Sequence, residues 1–402
     1  MVESARVSSL SMKGALVLAL AWATTAAAAA AAVTKGTIVG AGRIGNLLWQ
    51  LNNQQDKLLT RQDRSDEGGL LASGPIYLCT RNADLEKIIN DCPQSRRGDL
   101  VFLQNGVLTE YLAEKGLDSP STTQGLVYFA VSKKGEKPID GITDLNPEGL
   151  TAVTGKWAED LQARLAMGGL KCHVLDKATW TVAMLEKHIW ICAFMAVGAK
   201  HKGITVGEVE SGAETGPEVR SLIDELAAAA SARCKVTFTA DVADRLCAYA
   251  RSVAHFPTAL KEQEWRNGWF CDWTFEKVAQ LQPDPCPRHT AIMESQRLLF
   301  AARKRWARKT LAARDAARTF FEAEREQDRD RSYRQRGPAQ AAAAFPPLTT
   351  SPTVLMRNKS PRVQQMIEDH DKAWTAALAQ AEEEQRLQQQ QQLAVDAAGG
   401  YN

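Results

Sequence analysis

Apolar residues form short, uninterrupted runs early in the chain and longer helical stripes later. Thr37-Ile38-Val39, the run from Pro75 to Thr80 and Leu100-Val101-Phe102-Leu103 are strand-length and bounded by glycine or polar residues. Continuous rather than alternating runs suit strands buried on both faces of a parallel sheet. A further strand is expected at 56–60, DKLLT. Between the runs, NLLWQL after Gly45 and the segment after Asn82 show helical spacing of apolar residues. This alternation over residues 36–173 predicts an α/β domain with a parallel, doubly wound sheet and helices on both faces. Residues 174–287 carry helical periodicity with few strand runs, as in GPEVRSLIDELAAAASARC, and predict an all-α domain.

The two ends differ from this centre. Residues 288–336 are rich in Ala, Arg, Glu and Gln, and 288–334 predict a long charged helix without Gly or Pro. Residues 337–361 read as a linker, and 362–402 as a helix ending in a glutamine-rich low-complexity tail. The basic run RKRWARK at 303–309 is followed at once by acids. It reads as a solvated helix face rather than a nucleic-acid contact.

At the front, residues 1–35 combine Arg6, Lys13 and several serines with the uncharged stretch GALVLALAWATTAAAAAAAV. A secretory signal, an organellar transit peptide and an unstructured extension all fit this pattern. The stretch barely reaches the roughly 20 apolar residues that a membrane span needs, so stable membrane insertion is not expected. The eight cysteines have no CxxC spacing, and several sit in apolar stretches. They read as buried free thiols suited to a reducing compartment. That argument favours a plastid or mitochondrion, with secretion or the cytoplasm as alternatives.

The chain has 402 residues, a formal net charge of +2 and 45% hydrophobic residues, which excludes collagen, disulfide miniproteins and multispanning membrane proteins. A near-neutral chain gives no electrostatic case for nucleic acid. The six histidines are scattered, and no metal constellation emerges.

Chemistry begins at GTIVGAGRIGNLLWQ, residues 36–50. Gly40, Gly42 and Gly45 form GxGxxG between a strand and a helix, which is the context of a dinucleotide-binding turn. Gly40 permits the tight turn, Gly42 lets the backbone approach a pyrophosphate, and Gly45 allows close helix–strand packing. Arg43 and Ile44 open the helix whose N–H groups would meet the phosphates. About 20 residues after the first glycine, an NAD enzyme carries an acid that holds the ribose. Here Thr60-Arg61-Gln62-Asp63-Arg64 occupies that place. Arg61 and Arg64 suit a 2′-phosphate through charge-assisted contacts and favour NADP(H), whereas a shifted register would make Asp63 the ribose acceptor. Gln104-Asn105-Gly106 follows a strand, so Asn105 either faces the ligand crevice or belongs to a hairpin turn.

These residues resemble the ketopantoate reductase family. GAGRIG, a strand ending in TRN, then FLQNG, GLVYFAVSKKG at 125–135 and the stretch VTGKWAEDLQARLAMGGLKCHVLDKATWTVAMLEKHIW at 153–190 carry the resemblance, which covers roughly residues 36–285. It implies an NADPH-dependent 2-oxo acid reductase. Its implied fold is a Rossmann domain followed by an all-α C-terminal domain like that of 6-phosphogluconate dehydrogenase. It also implies a homodimer through the helical domain. Lys187 matches the family's catalytic lysine, Asn105 the asparagine between nicotinamide and substrate, and Arg81 a cofactor-contacting lysine.

The chemistry of a lysine there is plain. Hydride delivered to a ketone carbon makes an alkoxide, which needs a proton and a nearby positive charge. A lysine in AMLEKHIWICAFMAV is desolvated, which lowers its proton affinity. The other reading of Lys187 is a surface lysine snorkelling from an apolar helix.

The sequence departs from the family in three places. The helix asparagines four and eight residues after the lysine are replaced by Ile191 and Met195. Thr258 stands where the family has a serine. At the family's hydroxyl-binding glutamate, the chain offers Trp265, Arg266, Asn267 and Trp269. Thr258, Trp265 and Asn267 are therefore the expected substrate contacts. Trp265, Trp269 and Met195 predict either a pocket for a carbonyl compound other than ketopantoate or plain core packing. The segment between Arg64 and Pro75 is short for the family, so the first half of the sheet is expected to be trimmed. A catalytically inactive NADP-binding sensor or an interaction protein is the alternative function.

Overall fold

The structure, a computed structural model, describes residues 33–60, 63, 70, 72–131, 133–299 and 301–312. Arg61 and Arg64, the leader through residue 32, and the linker and tail helix expected at 337–402 lie outside the described residues. The chain divides into two units between Arg303 and Lys304.

In the first unit, seven short strands form one sheet: β1 Thr37–Val39, β2 Lys57–Leu59, β3 Ile76–Leu78, β4 Leu100–Phe102, β5 Thr123–Leu126, β6 Ala152–Thr154 and β7 His173–Val174, in spatial order 2-1-3-4-5-6-7. β1 to β5 are parallel. Successive residues of β1, β3 and β4 feed opposite cores. Ile38, Tyr77 and Val101 pack with Leu47 and Leu48 of α1 (Arg43–Leu51) and Leu161 and Leu165 of α4 (Ala158–Ala166). Val39, Ile76, Leu78, Leu100 and Phe102 pack on the other face with α2 (Leu85–Asp91) and Leu112 of α3 (Thr109–Glu114). A period of two inside a wholly apolar run is what a doubly covered sheet requires.

The expected parallel sheet needs one correction. β6 runs antiparallel to β5, and β7 follows β6 in parallel. Among the described residues of 127–151 there is no helix, so the chain turns back instead of crossing over. On the other side of β1 only β2 remains among the described residues. The strand order therefore reverses around β1, and the crevice opens at the carboxyl ends of β1 and β3.

A buried polar cluster ties the opposite edge of the sheet. The Arg164 guanidinium is fully buried against the equally buried Asp56 carboxylate, and it also donates to the Thr34 carbonyl at 2.9 Å. Asp56 further accepts from Gly36 N–H at 2.8 Å and Asn52 Nδ2 at 3.0 Å. Tyr77 lends its ring face to Arg164 at 4.7 Å and donates its hydroxyl to Asp160.

The remaining described residues of this unit are mostly helical: α5 Lys177–Lys200, α6 Val206–Ser211, α7 Thr215–Cys234, α8 Val242–Ser252, α9 Asn267–Ala279 and α10 Pro287–Ser295. α5 starts at Asp176, whose carboxylate accepts the N–H groups of Ala178 and Thr179 at 2.9 and 3.0 Å. It is long and apolar enough to cross a membrane, yet 78% of its apolar window is buried. Its all-round apolarity reflects a central position among α6, α7, α8 and α10 and against β6. All eight cysteines are free.

The long helix expected over 288–334 is interrupted where the structure describes it. α10 stops at Ser295, Arg297 takes φ +55°, and helix resumes over 301–312. In the second unit, residues 304–312 are helical.

Candidate active site

The three glycines of the first turn have three separate physical duties. Gly40 takes φ +108°, and a Cβ there would sit 2.7 Å from the Cys79 carbonyl oxygen, so only glycine fits. A Cβ at Gly45 would overlap the Gly40 carbonyl oxygen, so α1 can press on the turn only without a side chain. At Gly42 a Cβ would meet nothing nearer than 4.0 Å. That position faces open space with an ordinary backbone. α1 has no side-chain cap, and its first ladder bond runs from Asn46 N–H to the Gly42 carbonyl at 2.9 Å. Helix geometry leaves the amides of Ile44 and Gly45 directed out of the N-terminus. An exposed glycine in front of an uncapped helix start is a fit for a dinucleotide pyrophosphate. Arg43 beside it donates to the Val131 carbonyl at 3.0 Å, which ties the turn to the chain beyond β5.

Around this turn, Arg81 is exposed in the loop after β3, at the same sheet edge. Asp63 accepts both the Thr60 N–H at 3.0 Å and the Thr60 hydroxyl at 2.6 Å, and these bonds hold its carboxyl below the usual range. Its carboxylate thus closes the turn after β2.

Between the ends of β4 and β5 and helix α5 lies a narrow cleft, about 20 Å3 inside. Asn105 and Lys187 both line it, one on the sheet side and one on α5. The Asn-Gly pair is no hairpin, because β4 pairs in parallel with both β3 and β5. Gln104 braces this edge: its Nε2 donates to the Leu78 and Thr80 carbonyls at 2.8 and 3.2 Å, and its Oε1 accepts Leu103 N–H at 3.1 Å. The Asn105 carbonyl accepts from Asn82 Nδ2 at 3.0 Å. Gly106 has φ +105°, and a Cβ there would overlap the Trp265 carbonyl oxygen, so the loop before α9 seals directly onto this turn.

Lys187 is 7% exposed and does not snorkel. Its ammonium donates to the Val127 carbonyl at the end of β5 and lies 5.0 Å over the Tyr128 ring. Burial, and secondarily the Arg266 charge, push it down to about 7. Such a group gives and regains a proton near neutral pH. Its neighbour His188 also lines the cleft, stacked on Phe270 with centroids 5.3 Å apart, and burial lowers it to about 3, so it is neutral.

The three expected substrate contacts hold structural positions. Thr258 is buried against Gly198 and donates to the Ile204 carbonyl at 2.5 Å. Trp265 packs edge-on against Tyr111, with centroids 5.0 Å apart. Asn267 is buried with its Oδ1 2.9 Å from His289 Nε2. Met195 accepts Ala259 N–H at 3.4 Å, and Trp269 carries the Arg233 guanidinium at 4.3 Å. None of these five lines the cleft, whereas Ile191, Trp180, Met184 and Gln124 do.

Sequence reasoning missed Trp180 and Gln124. The signal available for Trp180 was its spacing of seven residues before Lys187 on one helix. Glu262 was missed as well. It takes φ +47° and bridges the two parts of the unit, accepting Asn82 N–H at 3.3 Å and Arg266 at 2.6 Å. Among the described residues no group of His, Cys, Asp or Glu is placed to hold a metal.

The sequence matches no protein-family model, and no curated protein matches it. Solved structures do. A PanE/ApbA family ketopantoate reductase from Ralstonia eutropha aligns at TM-score 0.50 with 18% identity, over 66% of this chain and 98% of that one. A 2-dehydropantoate 2-reductase from Geobacter metallireducens aligns at TM-score 0.47 with 21% identity, over 67% and 100%. A D-mandelate dehydrogenase solved with NADH and anilino(oxo)acetate aligns at TM-score 0.47 with 15% identity, over 68% and 100%. With the parallel sheet, the glycine turn and the helical remainder, the first of these alignments shows that the chain has the ketopantoate reductase fold.

Proposed function

We propose that the protein is an NADPH-dependent reductase of a 2-oxo acid or a closely related small carbonyl compound. The observation that carries this reading is Lys187 and Asn105 on facing walls of one cleft, in a domain whose first turn carries the glycine motif that suits a dinucleotide pyrophosphate. The ketopantoate reductase fold agrees with it at the level of analogy.

A bound reduced dinucleotide supplies the hydride. Lys187 gives its proton to the carbonyl oxygen as that oxygen gains the electron pair of the breaking C=O bond. The lysine is left neutral and recharges from solvent. Asn105 orients the reactants at the strand end, and Arg81 meets the dinucleotide at the sheet edge. Arg61 and Arg64 after β2 support NADP(H) over NAD(H), as does the engagement of Asp63 with Thr60. A second copy of the chain, joined through the helical elements, belongs to the same reading.

The test has two stages. Fluorescence titration with NADPH and NADH measures cofactor binding. Nicotinamide absorbance with a panel of 2-oxo acids then measures turnover for wild type and Lys187→Ala. The variant is expected to bind NADPH as wild type does and to turn over about 100-fold more slowly or worse. No turnover by wild type with any 2-oxo acid, or equal rates for the variant, overturns the proposal. NADPH binding without turnover would favour the sensor reading, which the replacement of asparagines by Ile191 and Met195 supports.

A further inference from the structure

The cleft holds more hydrogen-bond donors than a proton donor and one asparagine account for. Gln124, the second residue of β5, and Trp180, in the first turn of α5, are 3% and 4% exposed. Both line the cleft. Gln124 Nε2 and Trp180 Nε1 are buried donors with no hydrogen-bond partner among the described residues; His188 Nδ1 also has none, and is a donor or an acceptor according to the tautomer of the neutral ring. Orphaned buried donors are rare in native proteins because each has given up water for nothing. Several around one cleft match a ligand that brings acceptor oxygens.

Apart from Lys187 and the neutral His188, the rest of the α5 wall is hydrocarbon. Trp180, Met184, Lys187 and Ile191 recur at steps of four, three and four residues, so they share one helix face. Either side of Lys187, that face offers Met184 and Ile191 and no oxygen or nitrogen. The Gln104 side chain is committed to backbone partners. A hydroxyl on a substituent lying over Met184 and Ile191 would leave water and meet methyl groups.

We propose that the cleft selects 2-oxo acids whose substituent is plain hydrocarbon, with the carboxylate held by Gln124 Nε2 and Trp180 Nε1 and the substituent lying on Met184 and Ile191. This rests on the reductase reading above and names its substrate class. A carboxylate presents only acceptors, which is the complement of two orphaned N–H donors. Gln124 and Trp180 are then the residues that distinguish a 2-oxo acid from a simple ketone, and Ile191 is the one that distinguishes a hydrocarbon substituent from a hydroxylated one.

Two substrates differing by one hydroxyl give the sharpest measurement: 3,3-dimethyl-2-oxobutanoate and its 4-hydroxy derivative, ketopantoate. Wild type is expected to favour the first by about tenfold or more in kcat/KM, a ratio typical of apolar pockets facing an added hydroxyl. Ile191→Asn should narrow or reverse that preference. Gln124→Leu and Trp180→Phe should each raise KM for the oxo acid about tenfold or more. Neither should change turnover of 3,3-dimethylbutan-2-one, which lacks the carboxylate, by a similar factor. Equal or better use of ketopantoate by wild type overturns the substrate class while leaving the reductase reading intact. Unchanged KM in both donor variants overturns the carboxylate assignment. NADPH oxidation with neither acid and with no other 2-oxo acid overturns the reductase reading and this inference together.

Discussion

The Lys187 ammonium stands 5.0 Å over the face of Tyr128, while a backbone carbonyl, that of Val127, takes one of its protons. Neither partner carries a negative charge. The cation is held in place by a quadrupole and a dipole, and burial still lowers its pKa to about 7. A carboxylate in either place would have locked the proton on the lysine.

The first prediction concerns the pH dependence of turnover. With Lys187 as the proposed acid, reduction uses the protonated lysine, so the rate of carbonyl reduction should be level well below pH 7 and fall as pH rises through the lysine's value of about 7. Tyr128→Leu removes the favourable ring face and should move that break to lower pH. Single-turnover rates across pH, with cofactor saturating, check both. A profile flat to pH 9 would show that Lys187 is not the acid.

The same shift bears on stability. Folded Lys187 titrates near 7 against an ordinary value of 10.5. Between those values the unfolded chain binds one more proton than the folded one, so this residue makes stability rise with pH across that window. Below pH 7 both states are protonated and the burial cost is felt in full. Lys187→Met is therefore expected to raise the melting temperature at pH 6 and to lose most of that advantage by pH 10. Calorimetry at the two pH values reads the difference.

Two glycine substitutions separate folding from binding. Gly42→Ala puts a methyl group into open space at φ −74°, so the protein should fold with near-wild-type stability and lose at least about tenfold in dinucleotide affinity, because the backbone can no longer approach the phosphates. Gly45→Ala drives a methyl group into the Gly40 carbonyl and should destabilise the domain itself by about 1–3 kcal/mol. Denaturant midpoints alongside NADPH titration distinguish the two outcomes.

Much of this was legible in the sequence, for identifiable reasons. The glycine turn and strands 37–39, 76–78 and 100–102 announce themselves because each depends on local chemistry or a continuous apolar run. Lys187 was legible through its apolar helix. The antiparallel β6 was not, since its direction depends on the missing crossover rather than on Ala152-Val153-Thr154. That Thr258, Trp265 and Asn267 fall outside the cleft was hidden for a related reason. An aromatic-rich segment such as WRNGWF reads alike whether it lines a pocket or packs a core, and here Trp265 goes to Tyr111 and Asn267 to His289. Trp180 and Gln124 are isolated in sequence and meet at one cleft only through the fold.

The cluster at the far edge of the sheet yields a stability prediction. Arg164 and Asp56 are both fully buried, so removing Arg164 strands the Asp56 charge away from water, while removing Asp56 leaves Arg164 only the Asp160 carboxylate at 3.6 Å. Arg164→Met and Asp56→Asn should each cost about 3–5 kcal/mol, and the double variant much less than the sum. Urea unfolding of the four proteins closes the cycle. Additive losses would mean that the two groups act through their other partners, Asp160 and Thr34 for Arg164 and Gly36 and Asn52 for Asp56.

Cofactor choice gives the last prediction. The place of the ribose acid after β2 holds Thr60 and Arg61, with Arg64 three residues on, and the nearby acid, Asp63, is engaged by Thr60 through two hydrogen bonds. An acid already accepting two local donors is a poor partner for a ribose hydroxyl, and its charge would repel a 2′-phosphate only weakly while so engaged. Two guanidinium groups, by contrast, are suited to a phosphate dianion and gain nothing from a bare ribose. Arg61→Ala and Arg64→Ala should therefore weaken NADPH by about tenfold or more each and leave NADH within about twofold. Asp63→Asn, which keeps the local turn, should change neither cofactor's affinity much. If Asp63→Asn instead weakened NADH while the arginine variants left NADPH unchanged, the acid would be the ribose partner and the protein an NAD enzyme. Dissociation constants for both dinucleotides across the three variants decide between the two assignments.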